Sequence, residues 1–356
     1  MTLDALLEHL VASDGTDLVA KAGAPPRIRV GGELVETPFD ALDAAGVAAL
    51  LEGVVPKERA AELVDGGETE FALGVAGVGR FRVSAYRQRG SIAVVCHRIA
   101  PGLPTAEELG LPPVLDRLCE PGRGLVLVVG PAGSGVSTTM AALVDHVNAT
   151  RPCHVVTIEH PIEHLHADKR AVVSQREVGT DTPSAATAVA RAVRQGADVV
   201  AVGEVADFDD LRAVVNAAEL GALVFAVVPA LSSTEAVIRL VEAFPEVERR
   251  RVRAVLASIL RGALAQRLVD RADGRGRVAA FEVLQGTAKV KECLVDGDLA
   301  SLPRLVADGE YKGMQTVDRA LELLVRDGLV AVGTAVAAAD DPEDLRVVLG
   351  SLGARG

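Results

Sequence analysis

The stretch GLVLVVGPAGSGVSTT, Gly124 to Thr139, is the first place where residue types and spacing point to chemistry. It fits G-x-x-x-x-G-K-[ST] at every position but one, because Val136 stands where the pattern has lysine. Gly130, Gly133 and Gly135 let the backbone turn its N–H groups inward, and a helix opening near Ser137 adds its positive end. Such a cradle holds phosphate through main-chain groups, so Pro131, Ala132, Ser134, Val136 and Thr138 contribute mostly by position, while the Ser137 hydroxyl is placed for magnesium. The missing lysine is a different kind of loss. It would supply a point charge to the outer phosphates, and a hydrogen bond to a charged group contributes about 1.5 to 3 kcal/mol. The charge counts for more where a transition state develops, so valine leaves binding with poor chemistry unless another cation fills in.

Two further segments carry acids. TIEHPIEH follows an apolar run and sets Glu159 and Glu163 at a strand end, and ADVVAVGE ends another with Glu204. Carboxylates converging on the edge that carries a phosphate loop suit magnesium binding or water activation. His160, His164 and His166 lie between them; a metal reading lacks a fourth ligand at a recognisable spacing, and solvated loop histidines are the plainer reading. All seven histidines lie at or before position 166.

The elements that must position these groups alternate. LVLVVG, HVVTIE, DVVAVGE and LVFAVV are short unbroken apolar runs, as expected of parallel strands covered on both faces. Helices are expected over 137–148, 184–195, 207–220, 232–243 and 246–264, with Leu211, Val214, Val215 and Ala218 forming one apolar stripe. The first hundred residues read as an α+β domain: a helix in TLDALLEHLVAS, two strands around Gly31-Gly32 and a hairpin in GRFRVSAYRQRGSIAVVCHRI. Proline-rich APGLPTAEELGLPP is the expected linker, and helical segments including MQTVDRALELLVRDG close the chain. The expected division is 1–100, a linker over 101–118, a phosphate-loop domain over 119–288 and a helical subdomain over 289–356.

Composition narrows the classes. With 356 residues, two or three domains are expected, and a net charge of −12 argues against a nucleic-acid surface or attraction to anionic lipid. Only six of the 37 Lys and Arg residues are lysine, yet a drift to arginine would have kept a charge at 136 and valine does not. Cys96, Cys119, Cys153 and Cys293 are scattered, so reduced, packed thiols in a cytosolic chain are expected. No window offers the roughly 18 uncharged apolar residues of a membrane span, and a soluble chain without membrane insertion is expected.

The ordered set GLVLVVGPAGSG, TIEHPIEH, SQREVGTDT, VVAVGEVADFDDLRAVVNAAELGALVF, GRVAAFEVLQGT and GMQT resembles the PilT family of type IV pilus retraction ATPases, within the type II/IV secretion ATPases. The resemblance extends to TDLVAKAGAPPRIRVGGEL and GRFRVSAYRQRG and so covers nearly the whole chain. It implies an α/β fold with a RecA-like P-loop core, a PAS-like N-terminal α+β domain and a small C-terminal helical subdomain. It implies also a cytoplasmic hexameric ring that couples hydrolysis of ATP with Mg2+ to inter-domain motion, and that draws pilin from a pilus through an inner-membrane platform protein. Carried over, Gly130 to Thr138 match the Walker A loop and Glu159 and Glu163 the acidic box, Glu163 as the water-activating carboxylate. Glu204 matches the Walker B glutamate, and Arg80, Arg82, Arg89 and Arg98 match basic positions that in the family reach nucleotide across domains or subunits.

The departures fall where the chemistry is. Besides Val136, His160 replaces an aspartate, Ala206 an arginine, and Ala222 and Pro229 two histidines, while the segment that in the family reads like AIRNLIRE is KVKECLVD, Lys289 to Asp296. The resemblance therefore implies a ring protein with weak or no hydrolysis, assembling with itself or with a PilT-like paralogue as a structural or regulatory partner. A working motor served by trans arginines is the alternative, and a structural ring without nucleotide is a third reading.

Overall fold

Thr2 opens α1 (Leu3–Ala12) by accepting from the Ala5 N–H at 3.3 Å, which turns Leu3, Leu6, Leu7 and Leu10 onto one buried face. Strands β1 (Asp17–Lys21), β2 (Arg27–Val30) and β3 (Glu33–Glu36) follow, then α2 (Ala44–Leu50), α3 (Lys57–Ala61) and strands β4 (Glu68–Val75), β5 (Gly79–Gln88) and β6 (Ser91–Ile99). These strands pair antiparallel in the order β3-β2-β1-β6-β5-β4. Gly31 and Gly32 both take positive φ, at 58° and 91°, and make the expected turn between β2 and β3. Inward residues Phe71, Phe81, Val83 and Val94 close a core with the helix leucines.

This computed structural model describes residues 1–99, 102–120 and 122–353, with the side chains of 58 and 351–353 excepted. The described residues form two compact units, one from Met1–Gly102, Glu159–Leu165 and Gln175–Ser184, the other from Leu103–Ile158, His166–Ser174 and Ala185–Gly356.

Along the chain follow α4 (Leu115–Cys119), β7 (Gly124–Val129), α5 (Val136–Thr150), β8 (His154–Glu159), β9 (Val172–Glu177), α6 (Ala185–Arg194), β10 (Val199–Val202), α7 (Phe208–Glu219), β11 (Leu223–Val228), α8 (Ser233–Glu242), α9 (Glu246–Ile259), β12 (Leu260–Asp270) and β13 (Arg277–Gln285). The sheet order is β13-β12-β7-β11-β10-β8-β9. From β12 through β7, β11 and β10 to β8 the pairing is parallel, and β13 joins antiparallel. Every residue of β7 and β10 is buried, which is why those strands read as unbroken apolar runs. The stripe Leu211, Val214, Val215 and Ala218 is buried as expected.

Two expectations need correction. The helix expected over 246–264 ends at Ile259, and 260–270 form β12, a run of apolar residues whose period does not distinguish helix from strand. Pairing decides it: Gly262 lies so close to β13 that a Cβ there would stand 2.6 Å from the Leu284 carbonyl oxygen. Strand β9 was not expected at all, because VVSQRE is a polar, partly exposed strand at the sheet margin.

Helices α10 (Ala288–Asp296), α11 (Leu302–Ala307), α12 (Val317–Arg326), α13 (Val332–Ala338) and α14 (Pro342–Gly353) end the chain. Val317, Leu321, Ala335, Val336 and Leu345 pack against Val269 of β12 and Ala280 of β13. Among the described residues no helix is long and apolar enough to cross a membrane.

Candidate functional site

In the second unit the phosphate loop leaves β7 and β10 leaves its acid at the same carboxyl edge of the sheet. The Gly130 N–H donates to the Val228 carbonyl at 3.4 Å and the Val205 N–H to the Val227 carbonyl at 3.0 Å, so both loops are anchored on β11. The Gly203 N–H donates to the Ile158 carbonyl at 2.8 Å, which fixes the other side of the second loop and leaves Glu204 exposed. Pro131, Ala132 and Gly133 are exposed at the loop crest, and Gly133 and Gly135 take φ of 80° and 86°, a conformation that side chains resist. Helix α5 begins at Val136, with Ser137 exposed on its first turn and Thr138 half-buried.

Val136 is half-buried and packs against the core cluster of Val126, Val128 and Met140. One of its methyls would lie 2.9 Å from a Cβ at Gly130. The valine thus puts hydrocarbon, packed on the core, at the position where the pattern carries an ammonium.

Ser134 is 6% exposed and its hydroxyl has no partner among the described residues, so one buried donor is left over inside the loop. A Cβ at Gly130 would stand 2.3 Å from that hydroxyl, so only glycine leaves the space. That space is taken by the hydroxyl itself; what suits an anion is the spare donor and the N–H groups at the start of α5, with Ser137 as the hydroxyl to hold its magnesium.

Gln266 of β12 and Asp210 of α7 were not singled out in the sequence. Gln266 is buried beneath the loop, donating to the Ser134 carbonyl at 2.7 Å and accepting from the Thr139 hydroxyl at 2.5 Å. Asp210 is 7% exposed and accepts from the N–H groups of Ala186 at 2.8 Å and Ala206 at 3.3 Å, tying the loop after Glu204 to the start of α6. Burial pushes its carboxyl above the usual range, and those backbone bonds pull it back. Its spacing from the Asp207 N-cap is visible in the sequence, but a capped helix start is too common to mark a site.

In the first unit the acidic segment is held by arginines. Arg80 Nε donates to the Ile162 carbonyl at 3.0 Å while the Ile162 N–H donates to Glu177 at 3.1 Å, and Arg80 and Glu177 lie 4.0 Å apart. Both main-chain groups of Ile162 are therefore fixed next to Glu163. Glu163 accepts from Arg82 Nη1 at 3.3 Å, and the same guanidinium pairs with Glu70 at 3.2 Å. Glu159 accepts from Gln175 at 3.2 Å, and a cis peptide joins His160 to Pro161. Arg59, 6% exposed and missed in the sequence, donates to His160 Nε2 at 3.1 Å, the Val178 carbonyl at 2.6 Å and Glu62 at 2.9 Å. Since guanidinium only donates, the His160 ring must carry its proton on Nδ1. Of the four arginines singled out, Arg80 and Arg82 meet the acidic segment. Arg89 sits at the β5–β6 turn with φ of 47°, and Arg98 pairs with Asp14 at 3.2 Å.

His164 is half-buried, and burial holds its ring below the usual histidine range against the pull of Glu163. Among the described residues no group of three or more His, Cys, Asp or Glu is arranged to hold a metal ion.

Residues 109–301 match the family described as Type II/IV secretion system protein. The chain is 37% identical to the type IV pilus retractation ATPase PilT of Pseudomonas aeruginosa, over 97% of this chain and 100% of that one. The chain belongs to the PilT family. PilU, a type IV pilus ATPase of the same organism, is 36% identical over 98% of this chain and 91% of its own. A crystal structure of the pilus retraction motor PilT with bound ADP superposes with a TM-score of 0.89 at 35% identity, covering 97% of this chain and 99% of that one. The fold extends to the DotB ATPase of Legionella pneumophila, with a TM-score of 0.83 at 24% identity. The RecA-like core with an N-terminal domain is thus the architecture of this PilT-family chain as well.

Proposed function

We propose that this PilT-family protein binds ATP-type nucleotides at Gly130–Thr138 and hydrolyses them weakly or not at all, serving a type IV pilus motor as a structural or regulatory subunit. The observation that carries the reading is Val136. It packs half-buried on the core and puts no charge in a loop that otherwise keeps the glycines, the helix start and a spare serine hydroxyl. The loop N–H groups would hold the phosphates and Ser137 the magnesium ion that accompanies them, while Val136 offers no charge to stabilise transfer. A magnesium-bound nucleotide supplies its own scissile phosphoanhydride. The chain's part is to hold it, with Glu204 at the same sheet edge as the carboxylate that would orient water.

Arg80 and Arg82 are already engaged with Glu177, Glu163 and Glu70, which weighs against them as free replacements for the lysine and against the rival reading of a working motor. The subunit would sit in a cytoplasmic hexameric ring, with itself or with a PilT-like paralogue, against an inner-membrane platform protein. The ADP held by the PilT relative supports the nucleotide part of this reading. Thermal unfolding of the purified protein with and without Mg-ADP or Mg-ATP tests it: a midpoint that rises with ligand concentration is expected, and an unmoved midpoint at millimolar ligand contradicts it.

A further inference from the structure

The loop lacks its lysine, yet one side chain from a distant strand grips it. Gln266 is buried, and its amide bridges the Ser134 carbonyl and the Thr139 hydroxyl. The carbonyl only accepts, so the amide must turn its NH2 there and offer its oxygen to Thr139, which fixes its orientation without ambiguity. A trans peptide sets its C=O and the following N–H on opposite sides. Holding the Ser134 carbonyl down onto β12 therefore aims the Gly135 N–H the opposite way, and keeps a carbonyl dipole from facing an incoming anion. The glycine is part of the device, since a Cβ at 135 would stand 2.8 Å from the Gln266 amide nitrogen. Thr139 closes the first turn of α5 through its N–H to the Gly135 carbonyl at 3.1 Å, so the same clamp joins loop and helix start.

We propose that Gln266 is a positioning residue of the phosphate loop, holding the Ser134–Gly135 peptide and Thr139 so that the loop stays arranged for a nucleoside di- or triphosphate without help from position 136. This rests on the nucleotide-binding reading above, and its test separates the two. Gln266→Glu keeps the acceptor for Thr139 but loses the donor to Ser134, and Thr139→Val removes the other contact while Thr139→Ser restores it. Two readouts are taken: the dissociation constant for a fluorescent ADP with magnesium, and amide hydrogen exchange across residues 133–139 in nucleotide-free protein.

Gln266→Glu and Thr139→Val are expected to speed exchange in that segment and to weaken ADP binding roughly tenfold, with Thr139→Ser near the parent. Glutamate matches glutamine in size but adds a charge that repels ADP, so its loss of affinity counts for positioning only where Thr139→Val, which adds none, shows the loss too. Unchanged exchange and unchanged affinity in Gln266→Glu overturn the inference even where the parent binds ADP. If the parent binds no ADP, the nucleotide reading falls and the positioning role falls with it, even if the exchange effect in nucleotide-free protein shows the clamp itself. Should Gln266→Glu fail to fold, the Thr139→Val and Thr139→Ser pair decides in the same way.

Discussion

At the scale of the residue, Val136 decides most. Restoring the charge in Val136→Lys is expected to tighten ATP binding by about tenfold to a hundredfold, the range that a charged hydrogen bond supplies, as measured by titration calorimetry. Arg59 is the second decisive residue. Its guanidinium is buried and serves Glu62, Val178 and His160 at once. Glu62 is more than two-fifths exposed, so the pair falls short of a fully buried one. Arg59→Met is expected to cost about 2 to 3 kcal/mol in chemical unfolding, below the figure for breaking a fully buried pair. The motif residues were legible in the sequence because glycine spacing and strand-end acids are local signals. Arg59, Glu177 and Gln266 were not, since their partners lie across the chain and one arginine or glutamine among many carries no local mark.

At the scale of the element, β12 and α8 carry the consequences of burial. Gly262 sits where the register of β12 against β7 shifts, and Gly262→Ala would push a methyl toward the Leu284 carbonyl and Leu118. A loss of about 1 to 3 kcal/mol is expected in thermal or urea unfolding, the usual cost of overpacking. Glu282 of β13 is 8% exposed and caps α8, accepting from the Ser233 N–H at 2.7 Å and from the Ser233 hydroxyl. Burial raises its carboxyl above the usual range despite these bonds.

An acid whose folded pKa is raised binds protons more tightly when folded, so its contribution to stability falls as pH rises from its unfolded value, near 4.5, through the raised folded value. The parent should therefore lose stability relative to Glu282→Gln across that window, which paired melting curves at several pH values would read. The central strands and their helices were legible here, from unbroken apolar runs and a clear stripe. The boundary at Ile259 was not, because only pairing with β7 and β13 separates β12 from the helix before it.

At the scale of the whole molecule, the fold of the PilT family is kept while valine stands at 136, where the phosphate-loop pattern has lysine. Each unit has an apolar core among its described residues, and β12 holds the phosphate loop through Gln266. Sequence and fold agree on the family because the motifs and the apolar framework are read from the same residues. Activity is set by few charges, which a family resemblance does not count. Phosphate release from Mg-ATP by the purified protein, side by side with Glu204→Gln, tests the central claim most directly. The account predicts at most slow release, little above that of Glu204→Gln, even where ATP raises the unfolding midpoint; sustained fast turnover that Glu204→Gln abolishes would contradict it.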